Sequence, residues 1–141
     1  MSQLSAGGNP NAANATIPAT PAAVIALGGT FKQSVPGTTG GHSEWVDGKV
    51  HETGFTTVFT PNTRVLYNSA GVEYDVDLIT ASESNAANQF TYAAVTSRSH
   101  HAGVVNSLLL DGAVRTISGN INLTIWRGLA TRAGSEVISD Y

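Results

Sequence analysis

The sequence predicts an α+β, mostly β domain, an antiparallel sheet of hairpins with one short helix near each end. Three observations predict it. Asp47-Gly48 and Asp111-Gly112 each fall between runs that contain β-branched residues, and Asp-Gly is a strong hairpin signal because both central residues of a type I′ turn take positive φ. Charged residues make up only 12% of the chain, while Gly, Ala, Ser, Thr and Asn are plentiful, a composition that suits sheet with uncharged loops better than long solvent-facing helices. Only two short stretches carry paired helix start and stop signals.

A chain of 141 residues makes one domain that buries roughly two thirds of its unfolded surface. Residues 1–17, rich in Asn, Ala, Gly and Pro, read as a loose N-terminal arm with almost nothing to bury, and residues 18–141 as a single β-rich domain. Within it, Pro18 to Gly29 offers a helix of about two turns, with Thr20 as N-cap, Pro21 at the first helical position and glycine at the end. Thr30 to Ser34 follows as a short strand, before a Pro36-Gly37 turn and a Gly40-Gly41 break. With Asp47 and Gly48 in the turn of a hairpin, Trp45 falls opposite Val50 and Glu44 opposite His51, and the second arm continues through Gly54 to Thr60 until Pro61-Asn62 stops it.

Further strands are expected at Arg64 to Asn68, Glu73 to Leu78 and Gln89 to Thr96, separated by Ser-Ala-Gly and by the polar stretch Ser82 to Asn88. The last hairpin spans about Gly103 to Ser118, with Leu108 opposite Arg115. Asn122 is then a good N-cap for a helix over Leu123 to Ala130, whose Leu123, Trp126 and Ala130 share one side. Trp126 is the residue expected to fasten that helix to the sheet.

Several function classes lose support from the totals. Net charge is −3 and the arginines Arg64, Arg98, Arg115, Arg127 and Arg132 are scattered along the sequence, so there is no track for a nucleic-acid backbone. Without cysteine there are no disulfides and no thiolate chemistry. The start has neither a basic n-region nor an apolar h-region, and no stretch approaches the roughly 18 apolar residues of a membrane span, so the chain reads as making no membrane contact itself.

Candidate chemistry is sparse. His101 and Asp111 resemble a catalytic pair, but ten extended residues cover roughly 30 Å and put them at opposite ends of one strand. Counted across the hairpin, His101 comes level with Asn122, where an imidazole can clasp the start of the last helix. Ser97, Ser99, His100 and His101 hold serine-type ingredients, yet neighbours on a strand point to opposite faces and no Gly-x-Ser-x-Gly elbow exists. For metal, His42, Glu44, His51 and Glu52 are candidates on the first hairpin, and Asp75 and Asp77 share a face as weak calcium candidates, without the loop or third acid of an EF-hand. No other cofactor is expected.

The segment from Thr91 to Ser118, in which nine residues separate His101 from Asp111-Gly112, then Leu123 to Ile138, and the earlier stretch Gly41 to Asn62, resemble the C-terminal region of the planctomycete-type prepilin-like family of unknown function that carries a His-x9-Asp-Gly motif. The resemblance implies a pilin-like globular domain akin to type II secretion pseudopilins and type IV pilins. It also implies an extracytoplasmic location and partners among envelope or pilin-like subunits, with a possible homodimer. Family members begin with a prepilin cleavage site and a long apolar helix that this sequence lacks, so the chain corresponds to the C-terminal part, and docking of the N-terminal segment or dimerisation is expected to cover the sheet. The family motif falls on His101, Asp111 and Gly112 with no catalytic role attached. The expected function is therefore a non-enzymatic cell-envelope assembly subunit. The alternative is an extracytoplasmic module that binds carbohydrate or calcium through Trp45, Tyr67, Tyr74, Asp75 and Asp77.

Overall fold

The computed structural model describes residues 2–5, 18–33, 42, 45–79, 93–132 and 134. Along these run β1 (Ser2–Ser5), α1 (Pro21–Ala26), β2 (Thr30–Lys32), β3 (Leu66–Ser69), β4 (Val72–Ile79), β5 (Ala93–Ala94), β6 (Val104–Leu108), β7 (Val114–Ser118) and α2 (Leu123–Leu129). The fold is α+β and mostly β, with one short helix toward each end.

The main sheet is organised around β4, its longest strand. β3 joins it antiparallel through Ala70-Gly71, whose φ angles of 51° and 85° make a two-residue type I′ turn. β5 pairs antiparallel with the far end of β4, at Leu78↔Ala94 and Ile79↔Ala93. On the other edge lies β1, parallel to β4, followed by β2, which gives the order β2-β1-β4-β3. One face of this sheet is apolar. Leu4, Val76, Leu78 and Val65 are fully buried there with Val24 of α1, and Phe31 stacks on Tyr67 and leans against Tyr74. Each such aliphatic side chain contributes roughly 1.5–3 kcal/mol by leaving water.

Residues 2–5, read from the sequence as part of an arm with almost nothing to bury, instead form β1, and residues 6–17 lie outside the described residues. Leu4 fills the core between Phe31 and Leu78, its partners across the two ladders. A composition average hides a single well-placed leucine. α1 starts as expected, with Thr20 Oγ1 accepting from Ala23 N at 3.2 Å and Pro21 in the first turn, and Gly28 at φ 68° follows its end.

β6 and β7 form a separate two-stranded sheet, and α2 packs on it. Asn122 Oδ1 accepts from the Thr124 and Ile125 amides, at 2.8 and 3.3 Å, and so starts the helix. Trp126 is buried against Val105 and Ile117, and its indole N–H donates to Phe59 O at 2.8 Å. The ring also stacks on Phe55 at 5.7 Å, and Arg127 donates to Val58 O, so the 55–59 segment ties this unit to the main sheet.

Neither Asp-Gly pair makes the expected type I′ hairpin. At Asp111-Gly112 only Gly112 has positive φ, 85°. Gly112 N donates to Leu109 O and Leu109 N to Ala113 O, which is a three-residue loop: a type I turn over Leu110-Asp111 followed by a left-handed glycine. The register shifts by one residue, so Ser107 rather than Leu108 faces Arg115. Among the described residues no ladder flanks Asp47-Gly48. Asp47 Oδ1 accepts from Lys49 N at 3.0 Å, Lys49 Nζ lies 2.7 Å from Asp47 Oδ2, and Glu52 and Thr53 fold back onto Lys49 O, so Trp45 and Val50 are not cross-strand partners. The hydrogen bonds from Lys49 hold the Asp47 carboxyl below the usual range. Here an Asx turn won over the hairpin. Glu44, the Pro36-Gly37 turn, the Gly40-Gly41 break and residues 89–92 of the expected Gln89 strand lie outside the described residues.

Candidate functional site

The charged cluster of the molecule lies on the face of β4 opposite the apolar core. Alternation along the strand sends Tyr74, Val76 and Leu78 to one side and Asp75 and Asp77 to the other. Asp77 is 1% exposed, which a carboxylate tolerates only with a counter-charge and hydrogen bonds.

Arg98 supplies them. β5 runs back along β4, and the extended chain beyond it carries Arg98 to the two acids. Its Nε and Nη2 grip Asp75 with two bonds of 3.0 Å, and Nη1 donates to Asp77 Oδ1. The remaining N–H groups go to Thr96 O at 3.1 Å and Val76 O at 3.4 Å. All five guanidinium donors are thus engaged, in the fork geometry that suits Arg and not Lys. Burial alone would lower the Arg98 pKa, but the Asp75 and Asp77 carboxylates outweigh it and hold the pKa above the ordinary value. Asp75 Oδ1 accepts in addition from Val65 N at 2.8 Å.

His42 reaches the same acids from the loop above. Its Nε2 stands 3.4 Å from Asp77 Oδ2, an ion-pair separation without hydrogen-bond alignment, and Nδ1 lies 2.9 Å from Glu52 O. A carbonyl only accepts, so Nδ1 carries a proton, and the carboxylate favours a second proton on Nε2. Asp77 therefore raises the His42 pKa, against the opposing effect of burial. Both ring nitrogens thus face partners of the cluster, Glu52 O and the Asp77 carboxylate, and neither faces a nucleophile.

The sequence candidates fall in different places. His101 does not clasp α2: Asn122 caps that helix itself, and the imidazole is exposed with no hydrogen bond among the described residues. It lies instead on the rim of two adjoining depressions of about 370 and 690 Å³, floored by Arg98 and Ser99. Asp111 and Gly112 sit at the hairpin tip, the far end of β6 from His101, with Asp111 Oδ1 accepting from Ala113 N at 2.9 Å. Asp47 and Gly48 belong to the loop over the charged cluster, and Trp126 to the hairpin core. Ser97 and His42 both border the smaller depression, but the imidazole is committed to Asp77 and Glu52, so the pair forms no nucleophile and base.

The proposed calcium ligands Asp75 and Asp77 are where a cation would be held, and the cation present is a guanidinium. Among the described residues no group of three or more His, Asp or Glu side chains is arranged to hold a metal. Tyr67 and Tyr74 are packed on Phe31, which removes them as a platform for sugars, while Trp45 is exposed. Sequence reasoning missed Arg98 altogether, and it treated His42 as a metal ligand. The one signal was indirect: an Asp-x-Asp pair interleaved with Val76 and Leu78 on a strand demands a cation, without saying which. Comparison with protein-family models, with curated proteins and with solved structures returns no match.

Proposed function

We propose that the chain is a non-enzymatic structural or assembly subunit of the cell envelope, pseudopilin-like, whose β6–β7 hairpin packs against neighbouring subunits of the same kind. The observation that carries this reading is the hairpin tip. Leu108, Leu110 and Val114 are 71%, 101% and 66% exposed, side by side on one end of the molecule. Leu108 and Leu110 border an apolar groove of about 360 Å³ whose lining includes Ile117, Trp126 and Leu129. Contiguous apolar surface of this kind marks an interaction site. The charged cluster supports the same reading, because every guanidinium N–H of Arg98 is taken within it and its imidazole faces Asp77 and Glu52 rather than a hydroxyl.

Sedimentation across a wide concentration range tests it. Wild type is expected to associate with itself and Leu110→Asp to remain a monomer with an unchanged melting temperature. A wild type that stays monomeric even at millimolar concentration, or equal association by the variant, contradicts the reading.

A further inference from the structure

We propose that the groove bounded by Arg64 and His101 binds an oxyanion, the phosphate or carboxylate group of an acidic ligand. The groove has a volume of about 690 Å³ and lies between the segment entering β3 and the turn before β6. Arg64 comes from the first, His100 and His101 from the second. None of these three side chains has a hydrogen bond or ion pair among the described residues, and all three are exposed. In a chain with net charge −3, the guanidinium of Arg64 beside two imidazoles around one hollow gathers N–H donors, with the one cation of the three, at one place.

The floor sharpens the inference. Asp75, the carboxylate bordering this groove, has both oxygens engaged by Arg98, and Arg98 in turn has every N–H occupied by Asp75, Asp77 and two carbonyls. The floor therefore offers a ligand no free guanidinium N–H, and the donors left open are those of the rim. Asn62 adds a polar wall. Its Oδ1 accepts from Ser99 N at 2.9 Å, which leaves its amide NH2 as a donor, and it holds a left-handed φ of 62° beside the groove. Beyond the imidazoles no aromatic side chain among the described residues borders the groove, so a neutral sugar would find no ring there to stack on. Guanidinium, imidazole N–H and carboxamide donors around one hollow match the oxygens of phosphate or carboxylate instead. The site is independent of the hairpin tip and of the assembly reading.

Amide chemical-shift titration of the full chain tests the proposal. The probes are inorganic phosphate, an oligogalacturonate and a neutral glucose oligomer of equal length. Shifts at Ser99, His101 and Gly103 with phosphate alone assign the site to phosphate groups, and with the uronate alone to acidic glycans. Arg64→Ala and His101→Ala are each expected to weaken binding about tenfold, the usual worth of a charge-assisted hydrogen bond. Both residues are exposed, so folding is retained and the unperturbed spectrum verifies it. Arg115→Ala, on exposed β7, is the control and is expected to leave binding unchanged. Silence at these amides with both acidic probes, equal shifts with the neutral oligomer, or an equal loss in Arg115→Ala overturns the proposal.

Discussion

The two faces of β4 solve the same problem in opposite ways. On one, Val76 and Leu78 are buried among Leu4, Val24 and Val65, and water is excluded by apolar packing. On the other, Asp77 is as deeply buried but lies under Arg98 and His42. The apolar face is additive and forgiving, since a lost methyl group leaves a small cavity. The charged face is conditional: each member is tolerable only while the others stay in place.

Removing the guanidinium should therefore be the most damaging single change. Arg98→Ala strands two acids, one of them fully buried, and is expected to cost about 3–5 kcal/mol in urea unfolding. Arg98→Lys keeps the charge but not the fork and should recover only part of that loss. The matching change on the apolar face, Leu78→Ala, should cost about 3 kcal/mol through lost burial and a residual cavity. Equal costs for Arg98→Lys and wild type would erase the contrast between the faces.

Asp75→Asn is expected to be milder, about 2 kcal/mol, because Asp75 keeps access to solvent and loses mainly charge-assisted bonds. The smallest effect belongs to His42. Its pKa is raised in the folded state above the ordinary 6.5, so protonation stabilises the fold. That contribution is complete below pH 6.5 and is lost as pH rises through the raised value. Stability curves of wild type and His42→Gln should thus converge at alkaline pH and separate toward acid. Parallel curves across this window would remove His42 from the cluster.

The same two faces show what the sequence reveals and what it withholds. Period-two alternation places Asp75 and Asp77 together and opposite Val76 and Leu78, because strand geometry is local. Cap chemistry likewise identifies Thr20 and Asn122 as helix starts, and helical spacing turns Trp126 toward the hairpin. The partner of the acids is a different matter. Arg98 lies 23 residues beyond Asp75, and its choice over Arg64 or Arg115 depends on how β5 returns along β4, which no short pattern encodes. Turn residues mislead for a related reason. Asp-Gly serves a type I′ turn, a three-residue loop or an Asx turn, and the flanking packing decides, while the actual type I′ turn sits at the less telling Ala70-Gly71. His101 was misplaced by the resulting one-residue shift and by a helix that caps itself.

Central to this account is that Arg98 exists to neutralise the acids of β4 rather than to meet a ligand or a reacting group. A double-mutant cycle of Arg98→Met and Asp77→Leu, followed by urea unfolding, measures that directly. Each single change is expected to be strongly destabilising and the double change distinctly less so than their sum, since removing both charges leaves no fully buried charge unpaired, Asp75 keeping its access to solvent. Simple additivity, with the double variant as unstable as the two singles combined, would contradict it.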